Sequence, residues 1–217
     1  MDEETIGEIA KTTGKALEIT EGVGRFVSKI LGDACAEFGN SLHDWAKYFR
    51  YKNLLRIQDR VDQIHRKREL EGRTIPLKPS IGIPLIQAAS IVEDESLQEM
   101  WACLIANSTD PCFEERIKRS FVDILSSLDP IDAHILDWFS HQGWSNALRE
   151  ISIESISKSL NMEKADVGIS LSNLNRLGLI DLSVPTTPGH ILVSASDTRA
   201  TYLLSRIGCS LLTLCKE

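Results

Sequence analysis

Apolar side chains return every third or fourth residue along most of this chain, the period of helices that each bury one face. The pattern is clearest from Pro79 to Pro130. After Pro84, admitted to a first helical turn because its missing N–H would have no partner there, Leu85, Ala88, Ala89 and Val92 mark one helix. Leu97, Met100, Trp101, Leu104 and Ile105 mark a second, with Glu93, Asp94 and Glu95 at the positive end of its dipole and Asn107 through Pro111 closing it. A third runs from about Glu114 to Leu128, with Ile117, Phe121, Ile124, Leu125 and Leu128 on one face, and Asp129-Pro130 opens the next.

Upstream, Ile6, Ile9, Ala10, Leu17, Val23, Val27, Ile30, Leu31, Ala34 and Phe38 keep helical spacing from Thr5 to about Asn40. Gly7, Gly14, Gly22, Gly24, Gly32 and Gly39 interrupt it, each costing about 1 kcal/mol relative to alanine in a helix interior. Two readings follow: a broken helix packed on the rest of the protein or another subunit, or a small-residue face through Gly14, Gly24 and Gly32 that self-associates or enters a bilayer. Trp45, Phe49, Leu54 or Leu55, Ile57, Val61 and Ile64 then predict a long helix from His43 to Arg73, ended by Glu71-Gly72-Arg73, with Thr74 to Ile83 as an extended linker.

Downstream, a helix is predicted over Ile131 to Gln142, capped by Asp129 with Pro130 at its first position. Two short helices, Ser152 to Leu160 and Glu163 to Leu177, meet at Asn161, and Gly178 turns the chain into an extended run from Leu179 to Val184. His190 to Val193 is expected to return after the Pro185 to Gly189 turn, Tyr202 to Ser205 to add a strand, and Arg206 to Cys215 to form a last helix. Three helices followed by a hairpin is the order of a winged helix-turn-helix. The fold class is therefore mainly α: an elongated helical N-terminal and central region with a small C-terminal winged-helix-like α+β module. The divisions fall at 1–46, 47–130 and 131–217. Leu85, Trp101, Leu104, Phe121, Leu125, Leu136, Leu171, Leu174 and Leu177 are the expected core.

Charge changes this picture locally. The chain has 24 Lys and Arg against 31 Asp and Glu, a formal charge of −7, which argues against a surface broadly attractive to nucleic acid or anionic lipid. From Lys47 to Lys78, however, ten basic residues face four acidic ones, after a segment with nine acidic and four basic. The acidic arm is thus expected to pack against the basic helix, in the same or a neighbouring subunit. Arg56, Arg60, Arg66, Lys67 and Arg68 are contact candidates on that helix, for a phosphate-bearing or acidic partner. The supposed recognition helix offers Lys164, Asn173 and Arg176, but Glu163 and Asp166 cancel its charge, unlike the basic footprint of a DNA reader. A protein contact is the favoured role, with DNA binding as its rival.

Catalytic chemistry is not suggested. Gly22-Val23-Gly24 lacks the Lys-Ser/Thr of a phosphate loop, and the five histidines share no motif with a nucleophile. Cys35, Cys103, Cys112, Cys209 and Cys215 have no zinc-ligand spacing and read as reduced thiols. No enzyme activity, cofactor, metal or small-molecule substrate is expected. The acidic N-terminus and the lack of a run of roughly 20 apolar residues point to the cytoplasm, with membrane-surface association through residues 1–46 as the alternative.

The series PLIQAASIVEDESLQEMWACLIANSTDP, followed by SFVDILSSLDPIDAHIL, resembles the abortive-infection alpha family of bacterial proteins, with its acidic turn, Leu-Gln-x-x-Trp-type helix, Ala-Asn ending and later Leu-x-Pro. The likeness covers about Tyr51 to Leu136, with a looser echo from Tyr202 to Cys215. It implies a role in phage defence and supplies no catalytic residue. Protein-binding adaptor, membrane-perturbing effector and DNA-binding regulator are the three classes it leaves in competition.

Overall fold

Leu54, Ile57, Val61 and Ile64 recur at helical spacing and are all buried, so helix α1 (Tyr48–Lys67) forms with its charged residues turned outward. The computed structural model describes residues 22, 24–30, 48–112, 117–141, 151–183 and 201–215. The chain is mainly helical, with a small three-stranded antiparallel sheet near its C-terminus. Helix α1 stops earlier than its sequence suggests. Glu69 takes a left-handed φ of 53°, Glu69 N–H donates to the Arg66 carbonyl at 3.1 Å and Leu70 N–H to the His65 carbonyl at 2.9 Å. This closes the helix as a Schellman turn, with buried Leu70 as its apolar anchor.

The extended linker expected up to Ile83 is corrected: helix α2 is Pro79–Ser90 and contains Pro84. A proline inside a helix leaves the carbonyl four residues earlier without its usual donor. Here that carbonyl belongs to Ser80, and Arg119 Nη1 donates to it at 3.3 Å. Helix α3 (Glu95–Ser108) is capped by Asp94, whose Oδ1 accepts Leu97 N–H at 3.0 Å, so one member of the acidic triplet has a definite task. Trp101 through Asp110 are all buried, which exceeds the single stripe expected from periodicity. Helix α4 is Arg119–Leu125, shorter than the expected Glu114 to Leu128.

Helix α5 (Pro130–His141) starts with proline at its first position, as expected. Strand β1 (Ile151–Ser152), which the sequence did not suggest, precedes α6 (Ile153–Leu160), and α7 (Lys164–Arg176) follows. Ser152 caps α6, and Asn161 at its end has φ 52°. Gly178, at φ 71°, ends α7 and feeds strand β2 (Ile180–Ser183). Its partner is β3 (Thr201–Leu204), with Ile180 opposite Leu204 and Leu182 opposite Tyr202, while Ile151 opposes Tyr202 from the other side. The order is β1-β3-β2. The return strand expected at His190 to Val193 lies outside the described residues. Helix α8 (Arg206–Leu214) closes the module.

The described residues form two compact units. One holds those up to Glu93 together with Trp101–Val122, and the other holds Asp94–Met100 with those from Asp123 onward. In the first, residues 24–30 are helical and bury Phe26, Val27 and Ile30, and the Ile30 carbonyl accepts Leu77 N–H at 2.7 Å. In the second, α7 packs on α5 and α6 around Leu136, Ile156, Val167, Leu171 and Leu174.

Candidate functional site

The first unit carries a polar cluster at the end of α3, where the run Asn107-Ser108-Thr109-Asp110 is buried. A helix end inside a protein must find partners for its last carbonyls. Thr109 Oγ1 lies 3.0 Å from the Ile105 carbonyl and 3.1 Å from that of Ala106, and Ser108 Oγ donates to Leu104. His65, 1 % exposed on α1, reaches Thr109 Oγ1 through Nε2 at 3.0 Å. Its Nδ1 lies 3.2 Å from Lys29 Nζ, which also stands 3.4 Å from Asp62 Oδ1. An ammonium can only donate, so Nδ1 accepts and the Nε2 proton points at Thr109. Burial is the largest cause holding the His65 pKa below its ordinary value, and Lys29 adds to it, against the Ala106 carbonyl and Asp62.

The expectation that the arm meets the basic helix is met by residues 24–30, but with the charges reversed. The arm supplies the cation, Lys29, and α1 the carboxylate, Asp62. Among the described residues, a methyl group at Gly22 or Gly24 would meet no atom within 4 Å, so neither glycine serves a close approach to them. Gly14 and Gly32 lie outside the described residues.

The contact candidates of α1 divide between surface and interior. Arg56, Arg66 and Lys67 are exposed and Arg60 is half-buried, with Arg66 Nε donating to the Asp62 carbonyl at 3.2 Å. Arg68 turns inward, donating to Asn107 Oδ1 and standing 3.8 Å from Asp110 Oδ2. Half-buried, it supports the buried helix end.

In the second unit, Asp132 is buried where α5 meets α7. One oxygen accepts the Ser170 hydroxyl, and the other accepts Asn173 Nδ2 at 2.6 Å and Asp129 N–H at 2.9 Å. The last bond is the returning half of a capping box, which the Asp129-to-Asp132 spacing signals and which sequence reasoning overlooked. Asn173 also donates to the Ser127 carbonyl at 3.2 Å, and its Oδ1 receives Arg176 Nε at 3.2 Å and Nη2 at 2.7 Å. Lys164 pairs with Glu154 at 3.0 Å. The structure therefore brings Asn173 and Arg176 together and places Lys164 at the other end of the same helix.

The exposed residues of α7 are Lys164, Ala165, Asp166, Ile169, Ser172, Asn175 and Arg176, and among them Ala165, Ile169, Ser172 and Arg176 form a line at intervals of four, three and four residues. Ile169 is 71 % exposed, the most of any large hydrophobic residue among those described. It falls off the stripe of Leu171 and Leu174, and that mismatch was the available signal. Among the described residues no group of three or more His, Cys, Asp or Glu is placed to hold a metal ion, and no helix is long and apolar enough to cross a membrane.

The family model described as abortive infection alpha matches residues 50–192. The chain belongs to the abortive infection alpha family. Neither a curated protein nor a solved structure matches it. The family match takes in both the α3 helix end with His65 and the α7 face with Asp132, so an abortive-infection defence role is the coarse function of this chain.

Proposed function

We propose that this member of the abortive infection alpha family is a non-enzymatic defence component that acts in the cytoplasm through protein–protein contacts, with the winged-helix-like module of residues 131–217 turned to protein binding. The observation that carries this reading is the outward face of α7, where a DNA reader would present Arg, Lys, Asn or Gln to base edges. Here the face centres on exposed Ile169 between Ala165 and Ser172, and its polar end is engaged within the chain, Arg176 donating to Asn173 Oδ1 and Asn175 Nδ2 to the Ile180 carbonyl at 2.9 Å. Asn173 has both ends of its amide engaged inside the protein, and Lys164 faces Glu154. An exposed apolar side chain on a charge-balanced helix suits a partner that buries it.

The test is a phage challenge of cells carrying Ile169→Asp, scored by plaque formation and by survival of infected cells. Loss of protection with an unchanged thermal melt supports the contact reading. Full protection overturns it. Salt-sensitive binding of duplex DNA by the wild type, weakened by Lys164→Ala and Arg176→Ala, would replace it with the regulator.

A further inference from the structure

We infer that the partner of the α7 face is a second copy of this chain, docked antiparallel so that α7 of each copy lies against α7 of the other; this rests on the contact reading above. The face is self-complementary. Asp166, exposed in the first turn, and Arg176, exposed at the last residue of α7, flank Ile169 and Ser172. They are ten residues apart, about 15 Å along the axis at 1.5 Å per residue. A two-fold axis crossing the helix pair near Ser170 and Leu171 brings Asp166 of one copy opposite Arg176 of the other, twice over, which is the isologous pattern of closed dimers. The same operation sets each Ile169 beside Ser172 and Asn173 of the other copy, where the small serine leaves room for the branched side chain.

Two details favour this pairing. Asp166 lies about 100° around the helix from Ala165, and Asn173 about 80°, so both mark the same flank. Arg176 is drawn to that flank by its two bonds to Asn173 Oδ1. A two-fold axis perpendicular to the helices keeps each flank on its own side, so carboxylate and guanidinium meet on the same edge. The guanidinium is also held in place before docking, which lowers the entropy lost on pairing. A contact of one helix face per copy buries less than the roughly 1,000 Å² of a stable interface, so the dimer is weak and concentration-dependent.

Sedimentation velocity of the full chain over a concentration series tests this. The expected result is a shift from monomer toward dimer as concentration rises, lost in Ile169→Asp. Asp166→Arg and Arg176→Asp should each abolish the shift, and the double variant D166R/R176D should restore it, because the pairing is then regenerated with its signs exchanged. A wild type that stays monomeric at every concentration, an Ile169→Asp variant that still dimerises, or a double variant that stays monomeric would each overturn the inference. If the wild type is monomeric yet Ile169→Asp loses phage protection, the contact reading stands and only the identity of the partner falls.

Discussion

His65 Nε2 and Thr109 Oγ1 lie 3.0 Å apart inside the first unit, joining α1 to the buried end of α3, and Lys29 occupies the other ring nitrogen. The imidazole is neutral in this arrangement because Nδ1 must accept from an ammonium group. Its pKa is lowered, chiefly by burial and then by Lys29. Unfolded, His65 titrates near the usual value of about 6.5. As pH falls below that value the unfolded chain takes up a proton that the folded chain refuses, so stability declines until the lower folded pKa is passed. The melting temperature should drop from pH 7 to pH 5 more steeply in the wild type than in His65→Gln. Equal slopes in the two proteins would show that His65 does not control the decline.

Asp132 takes three hydrogen bonds from Ser170, Asn173 and the Asp129 backbone. Asp132→Ala leaves these donors without their acceptor and should cost about 3 kcal/mol in chemical denaturation. Asp132→Asn should cost clearly less. Its carbonyl can replace the oxygen that serves Asn173 and Asp129, and the Ser170 hydroxyl can rotate to accept from the new amide. Equal losses would mean that the charge, and not the hydrogen-bond pattern, matters.

Trp101 is fully buried, and among the described residues its indole N–H has no hydrogen-bond partner. Trp101→Ala should cost about 3 to 5 kcal/mol through the cavity it opens. Trp101→Phe keeps most of the ring contacts and removes the unsatisfied N–H, so its loss should be well under half of that. A phenylalanine variant as unstable as the alanine one would mean that the indole shape is indispensable.

Gly208 sits in the first turn of α8, where a Cβ would clash with the Leu179 carbonyl oxygen. That obstacle is backbone, which cannot rotate away, and Leu179 also accepts Ser205 N–H at 3.0 Å. Gly208→Ala should destabilise the second unit by about 3 kcal/mol or more. A melt matching wild type would show that α8 can shift freely.

The helical order of the chain was legible because burial on one face imposes a period of 3.6 residues, and the expected core from Leu85 to Leu174 is buried as the stripes require. Local stops were legible where the residue itself demands them, as at Gly178, and misread where tertiary contacts decide. Glu69 takes the left-handed turn that ends α1, three residues before the left-handed Gly72, and Pro84 sits inside α2, where Arg119, 35 positions later, serves the carbonyl it strands. Leu177 is half-buried because it is the C-cap of α7 and no longer on the helical stripe. Sequence determined that Asn173, Arg176 and Lys164 share one helix. Only the tertiary structure decided that Asp132 and Glu154 engage Asn173 and Lys164, leaving Ile169 outward, because hydrogen-bond partners distant in sequence are set by how the helices pack and leave no mark in periodicity.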